Sequence, residues 1–163
     1  MKFDHFISSL KKLITHIISW LLFGEVLVII VQIISRDVTL EPLMWTEELA
    51  RYIMIWMTFL GSALTVANKE NVEIDFIIKK IPNAKRKWVM IFNDLLTCIF
   101  LFLVSFATIR MLYLPALKFQ RSPNLQLPMK YIYISLPIGC MLMIFFILLN
   151  IVNKIIQGDN NVN

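Results

Sequence analysis

WTEELARYIMIWMTFLGSA, residues 45–63, begins like a soluble amphipathic helix and ends like a membrane span. Glu47, Glu48 and Arg51 lie within one and a half turns of each other, and after Arg51 no charge appears until Lys69. An uninterrupted apolar run of this length has no strand-like alternation, so a helix is the form that can carry it through lipid. The same reading extends outward to four apolar blocks, 13–35, 45–67, 88–114 and 131–153. Each exceeds the roughly 20 residues a helix needs to cross a bilayer. The sequence therefore predicts an all-α integral membrane protein, a single domain over residues 1–163 with four transmembrane helices. Composition agrees: 58% of residues are hydrophobic and 17% charged, against about half and a quarter in soluble domains.

The first block reads as a retained span. Its apolar run is longer than a signal-peptide core, and no small-x-small cleavage site follows. With the four spans removed, no remaining stretch could bury a soluble core. The net charge of +5 speaks of orientation rather than of nucleic acid. Ten basic residues (Lys2, Lys11, Lys12, Lys69, Lys79, Lys80, Lys85, Arg86, Lys87 and Lys154) fall on one side. Four (Arg36, Lys118, Arg121 and Lys130) fall on the other. The richer side is the cytoplasmic one, so both termini are expected in the cytoplasm.

The long inner connection offers a short interfacial helix at 75–81, capped by Asp75 and stopped by Pro82. Its apolar Phe76, Ile77 and Ile81 would dip into the interface; a plain positive-inside loop explains the same residues equally well. Pro123 and Pro128 argue against helix in the outer connection. Pro137-Ile138-Gly139 predicts a kink or a thinned helix near the outer end of span four. Cys98 and Cys140 read as small buried apolar residues. Asn93 and Asp94 sit low in span three, where a structural role fits better than a proton relay.

Charges inside spans cost about a few kcal/mol each at mid-bilayer. Glu25 lies near the middle of span one, on one helical face with Gln32 and Arg36. Counting about 1.5 Å per residue in a core of about 30 Å puts Glu25 about 12 Å and Arg51 about 9 Å below the outer edge. These depths predict a Glu25–Arg51 pair, with Glu47 or Glu48 sharing the arginine. In span two, Glu47, Arg51, Met54, Thr58, Gly61 and Thr65 fall on one stripe. Small and hydroxyl residues let membrane helices approach closely. The stripe packs either inside this four-helix chain or against a second membrane protein; spacing alone favours the first.

No nucleophile–base set, metal-ligand cluster or phosphate-cradling glycine loop is present. The sequence thus predicts a non-enzyme with no cofactor of its own.

The element W-T-E-E-L-A-R-Y at 45–52, followed by I-W-M-T-F-L-G-S-A, resembles the small membrane subunit of tripartite ATP-independent periplasmic (TRAP) transporters. The inner segment N-K-E-N-V-E-I-D-F and the run L-P-M-K-Y-I-Y-I-S-L-P-I-G are similar to that family as well. The resemblance implies a bacterial inner-membrane protein paired with a large multi-span membrane subunit that holds substrate and sodium sites and works as an elevator. A periplasmic binding protein would deliver an organic acid such as a sialic acid or a C4-dicarboxylate. The small subunit would brace the scaffold, with lipids in the seam, and help dock the binding protein. Because the chain stops soon after span four, a separate rather than fused subunit is expected. Trp45, Glu47, Glu48, Arg51 and Tyr52 match the family element and are expected, with Glu25, Thr58, Gly61 and Thr65, to support structure and subunit contact. Arg36, Glu41, Lys118, Arg121 and Lys130 are outward candidates for binding-protein docking. Two other readings stay open: a small proton-coupled multidrug exporter using Glu25, and an assembly subunit of another membrane complex.

Overall fold

A computed structural model of the chain describes residues 2–39, 43–68 and 83–159. Six helices are present among them: α1 Lys2–Thr39, α2 Met44–Asn68, α3 Asn83–Leu112, α4 Pro115–Lys118, α5 Lys130–Tyr133 and α6 Ser135–Asp159. The stretches long and apolar enough to cross a membrane are His5–Val38, Met44–Asn68, Trp88–Leu112 and Lys130–Val152. They fall on the four predicted spans. The first differs in length, because the polar lead and the span form one continuous helix. Its 38 residues, at about 1.5 Å each, reach about 57 Å, well past a hydrocarbon core of about 30 Å.

The long helices stand in a row. α1 packs on α2, α2 on α6, and α6 on α3. Closed four-helix bundles bring the first and last helices of such a row together; here α1 and α3 form no comparable contact among the described residues. The core lies along the middle of the row, with Leu60, Val66 and Ala67 of α2 against Ile14 of α1 and Cys140, Phe146 and Ile147 of α6. Cys98 and Leu101 extend it toward α3. Both cysteines are free and buried, as their apolar surroundings predict.

Close approach of α2 to α6 depends on Gly139. A Cβ built there would stand 2.6 Å from the Phe59 Cβ and 3.1 Å from the Phe59 carbonyl oxygen. This is the thinned helix expected at Pro137-Ile138-Gly139. The expected kink appears as a break between α5 and α6 at Ile134. Pro137 has no N–H to give to the preceding turn and its ring crowds that turn. The Ser135 hydroxyl instead donates to the Ile132 carbonyl at 2.6 Å, and the Ile138 N–H reaches the Ile134 carbonyl at 3.3 Å.

The last carbonyls of a helix lack intrahelical donors. In α2 two neighbours supply them: Lys11 Nζ donates to Ala67 O at 2.5 Å, and Asn150 Nδ2 to Val66 O at 3.1 Å. The lysine also suits the negative end of the helix dipole. These bonds place Lys11, Ala67 and Asn150 at one end of the row. Asn150→Ala is expected to cost about 1 kcal/mol, read as a lower melting temperature in detergent; an unchanged melt would deny the bond a structural role. The interfacial helix expected at 75–81 lies outside the described residues.

Candidate functional site

The start of α2 carries two interleaved pairs four residues apart. At its entry the Thr46 hydroxyl donates to Leu43 O at 2.6 Å, and Thr46 is fully buried. Trp45 is 39% exposed at the helix edge. Glu47 then points one way and Glu48 the other, as 100° per residue requires.

Glu48 points inward. It is buried, and its Oε1 accepts the Tyr52 hydroxyl at 2.5 Å. Its Oε2 accepts two consecutive backbone N–H groups, Asn124 at 2.9 Å and Leu125 at 3.2 Å. Those amides belong to a tight hairpin between α4 and α5. Ser122 N donates to Leu127 O at 2.9 Å and Met129 N to Gln120 O at 3.1 Å, flanking a single bridge between Arg121 and Pro128. Gln126 turns the chain with a φ of 54°, and the buried Ser122 hydroxyl accepts the Leu127 N–H at 3.1 Å. A carboxylate fixed on α2 thus ties down the tip of a hairpin some 76 residues later. Ser122, Asn124 and Leu125 belong to the site but carry no chemistry visible in the sequence. The turn signature Ser-Pro-Asn at 122–124 is the one local hint.

Glu47 points outward. Its Oε1 accepts Arg51 Nη2 at 3.0 Å, and both side chains are about two-thirds exposed. The expected Glu25–Arg51 pair is not formed among the described residues: Arg51 is exposed and its guanidinium is held by Glu47. Nor does Glu48 share the arginine.

The rest of the stripe follows Glu47 outward. Met54, Thr58 and Thr65 are exposed and Gly61 is half-buried. A Cβ on Gly61 would meet nothing within 4 Å. The opposite face of α2 holds the buried Leu60, Ala63 and Ala67. Packing within the chain, which spacing alone favoured, is therefore not what this stripe does. Its hydroxyls are already satisfied: Thr58 donates to Met54 O at 2.8 Å, Ser62 to Thr58 O at 2.8 Å, and Thr65 to Gly61 O at 3.0 Å. Below Met54 the stripe is made of small residues whose hydroxyls bond their own helix.

Of the residues expected to dock a binding protein, Arg121 is exposed on the hairpin and donates weakly to Gln126 O at 3.5 Å. Lys130 is exposed at the start of α5. Arg36 lies at the far end of α1, 3.9 Å from Asp37, with both side chains about 70% exposed. Lys118 ends α4 with its side chain outside the described set, and Glu41 lies outside the described residues.

The model of the DctQ component of tripartite ATP-independent periplasmic transporters matches residues 25–157, both of α2's pairs and the hairpin included. The chain belongs to this family. Among its relatives, the sialic acid TRAP transporter permease protein SiaT of Haemophilus influenzae is 41% identical over 78 residues, 47% of this chain and 13% of that protein. The isethionate TRAP transporter permease protein DctMQ of Oleidesulfovibrio alaskensis is 34% identical over 104 residues, 61% of this chain and 16% of that protein. The C4-dicarboxylate TRAP transporter small permease protein DctQ of Rhodobacter capsulatus is 30% identical over 107 residues, 63% of this chain and 45% of that protein. The matched stretch spans less than half the length of each. In DctQ terms, the element at 45–52 is thus a junction: one glutamate holds the chain's own hairpin and the other is exposed beside Arg51.

Proposed function

We propose that this chain is the small transmembrane subunit of a sodium-coupled, binding-protein-dependent secondary transporter that imports an organic acid. Sialic acid and C4-dicarboxylates are the solutes that the relatives' names suggest. The observation that carries the reading is the outward stripe of α2, Glu47, Arg51, Thr58, Gly61 and Thr65. A face turned to lipid has no use for an ion pair or a glycine, whereas a neighbouring membrane helix uses both. That neighbour is the large elevator-type membrane subunit, and this chain braces its scaffold, with lipid filling the remaining seam. Substrate and sodium sites belong to the large subunit, and this chain needs no cofactor.

The positive-inside bias supports placing Lys11, Asn150 and both termini on the cytoplasmic side of the bacterial inner membrane. The hairpin at 120–129 then faces the periplasm, where Arg36, Glu41, Lys118, Arg121 and Lys130 form the docking side for the binding protein.

Co-purification tests the stripe. Gly61→Trp places a bulky ring on the open face and is expected to cut recovery of the large subunit by about tenfold or more. Phe100→Trp, on the exposed apolar face of α3, serves as the lipid-facing control. Equal recovery from both variants would remove the stripe from the interface.

A further inference from the structure

The small-subunit reading leaves Glu25 unexplained. Glu25 lies three to four residues, about 5 Å, from the middle of the span His5–Val38. It is half-buried, on the stripe of α1 that also carries Leu21, Val28 and Gln32. It has no ion pair or hydrogen bond among the described residues. A carboxylate at this depth is tolerated where it faces protein and finds a partner.

Among the described residues no basic side chain pairs with Glu25. Arg51, the nearest in level, holds Glu47. Lys11 is fourteen residues away, about 21 Å along the helix, and bonds Ala67 O. Arg36 is eleven residues away, about 17 Å in the other direction. Arg110 is on α3, which does not pack on α1, and its guanidinium lies 5.3 Å from the Phe106 ring centre.

The surroundings of Glu25 are open in a specific way. Gly24 beside it would meet nothing within 4 Å if it carried a Cβ. Glycine weakens a helix, and this one gains no contact inside the chain. Elsewhere along the span the exposed apolar residues of α1 are bulky, among them Trp20, Phe23, Leu27, Ile30 and Ile34, while the exposed Thr15, His16 and Ser19 bond carbonyls of their own helix. A small residue and an unpartnered carboxylate side by side mark the place where another helix comes close.

We infer that Gly24 and Glu25 form a second contact with the large membrane subunit, in which an arginine or lysine of one of its membrane helices pairs with Glu25 in the outer half of the bilayer. Charge complementarity selects this occupant over lipid tails. The pair sets the depth and rotation of α1 against the partner, as single buried polar contacts do for helix register. The inference rests on the small-subunit reading above.

The test is co-expression with the large subunit, followed by recovery of that subunit on a tag carried by this chain. Glu25→Lys is expected to lower recovery about tenfold or more, the scale of breaking a buried charge pair. Glu25→Gln lowers it several-fold without changing side-chain shape. Glu25→Leu raises the melting temperature of the isolated chain, because an unpaired charge is gone, yet lowers recovery; a purely internal role would move both the same way. Replacing the matching cation of the large subunit by glutamate restores recovery with Glu25→Lys. Wild-type recovery with both Glu25→Lys and Glu25→Gln overturns the inference, and so does rescue of Glu25→Lys by Arg51→Glu, which would put the partner inside this chain. If the unaltered chain recovers no large subunit, the small-subunit reading itself fails, and the two failures are separate.

Discussion

Replacing Glu48 with alanine is expected to untie the hairpin at 120–129 while leaving the four long helices in place. The carboxylate is the acceptor for the Asn124 and Leu125 amides, and neither amide has another acceptor among the described residues. Alanine removes both acceptor oxygens and leaves the two part-buried amides to water alone, so the tie between α2 and the hairpin is lost. The hairpin's own ladder is short, two flanking bonds around one bridge, so it holds the tip poorly alone. Amide exchange at Asn124 and Leu125 should accelerate by about tenfold or more relative to the middle of α2. Glu48→Gln is the informative companion. Its carbonyl oxygen can still face the two amides while its NH2 donates to the Tyr52 oxygen. A mild effect of glutamine beside a large effect of alanine assigns the role to hydrogen bonding. Tyr52→Phe removes one donor, frees Oε1 and should have the least effect of the three. Unchanged exchange in Glu48→Ala would show that the hairpin is held by its apolar contacts, Leu117 and Ile132 among them. Because Arg121 rides on this hairpin, the same variant separates a docking surface that must be rigid from one that need only be charged.

The position of the four spans was legible because hydrophobic length is a local quantity, and lipid imposes it on each helix separately. So was the trouble near Pro137, since a missing N–H acts within one turn. The stripe Glu47, Arg51, Met54, Thr58, Gly61, Thr65 was legible as a stripe but not as an outer face. Helical phase says which residues are together; only the row of helices says which way they look. Small residues mark close packing whether the neighbour is α6 or another protein, and Ala63 and Gly139 have the same composition signature as Gly61. Glu47 and Glu48 could not be told apart either. Each has a partner four residues on, Arg51 or Tyr52, and the difference lies in amides 76 residues later. Depth counting put Glu25 and Arg51 at similar levels, but the arginine is held by Glu47. The open order α1, α2, α6, α3 has no sequence signal at all, because each apolar helix offers lipid and protein the same side chains.

The two glycines at the ends of that contrast give the sharpest prediction. Gly139→Ala is expected to destabilise the chain by about 2–3 kcal/mol, the range for adding a methyl group to a packed site that cannot relax. The atoms in the way are the Phe59 Cβ, at 2.6 Å, and the Phe59 backbone. No rotamer of Phe59 moves them, so α2 and α6 must part along their whole contact. Gly61→Ala adds the same methyl group where nothing stands within 4 Å. In the isolated chain it is expected to stabilise by about 0.5–1 kcal/mol through helix propensity alone. Thermal or denaturant unfolding in detergent reads both. Opposite signs from the same substitution, on neighbouring helices, locate the one interface the chain fills itself and the other it leaves for a partner. Were Gly139→Ala neutral, the α2–α6 contact would be looser than the structure describes. Were Gly61→Ala destabilising without a partner, the stripe would be packed inside the chain after all, and the surface assigned to the large subunit would have to be sought on α1.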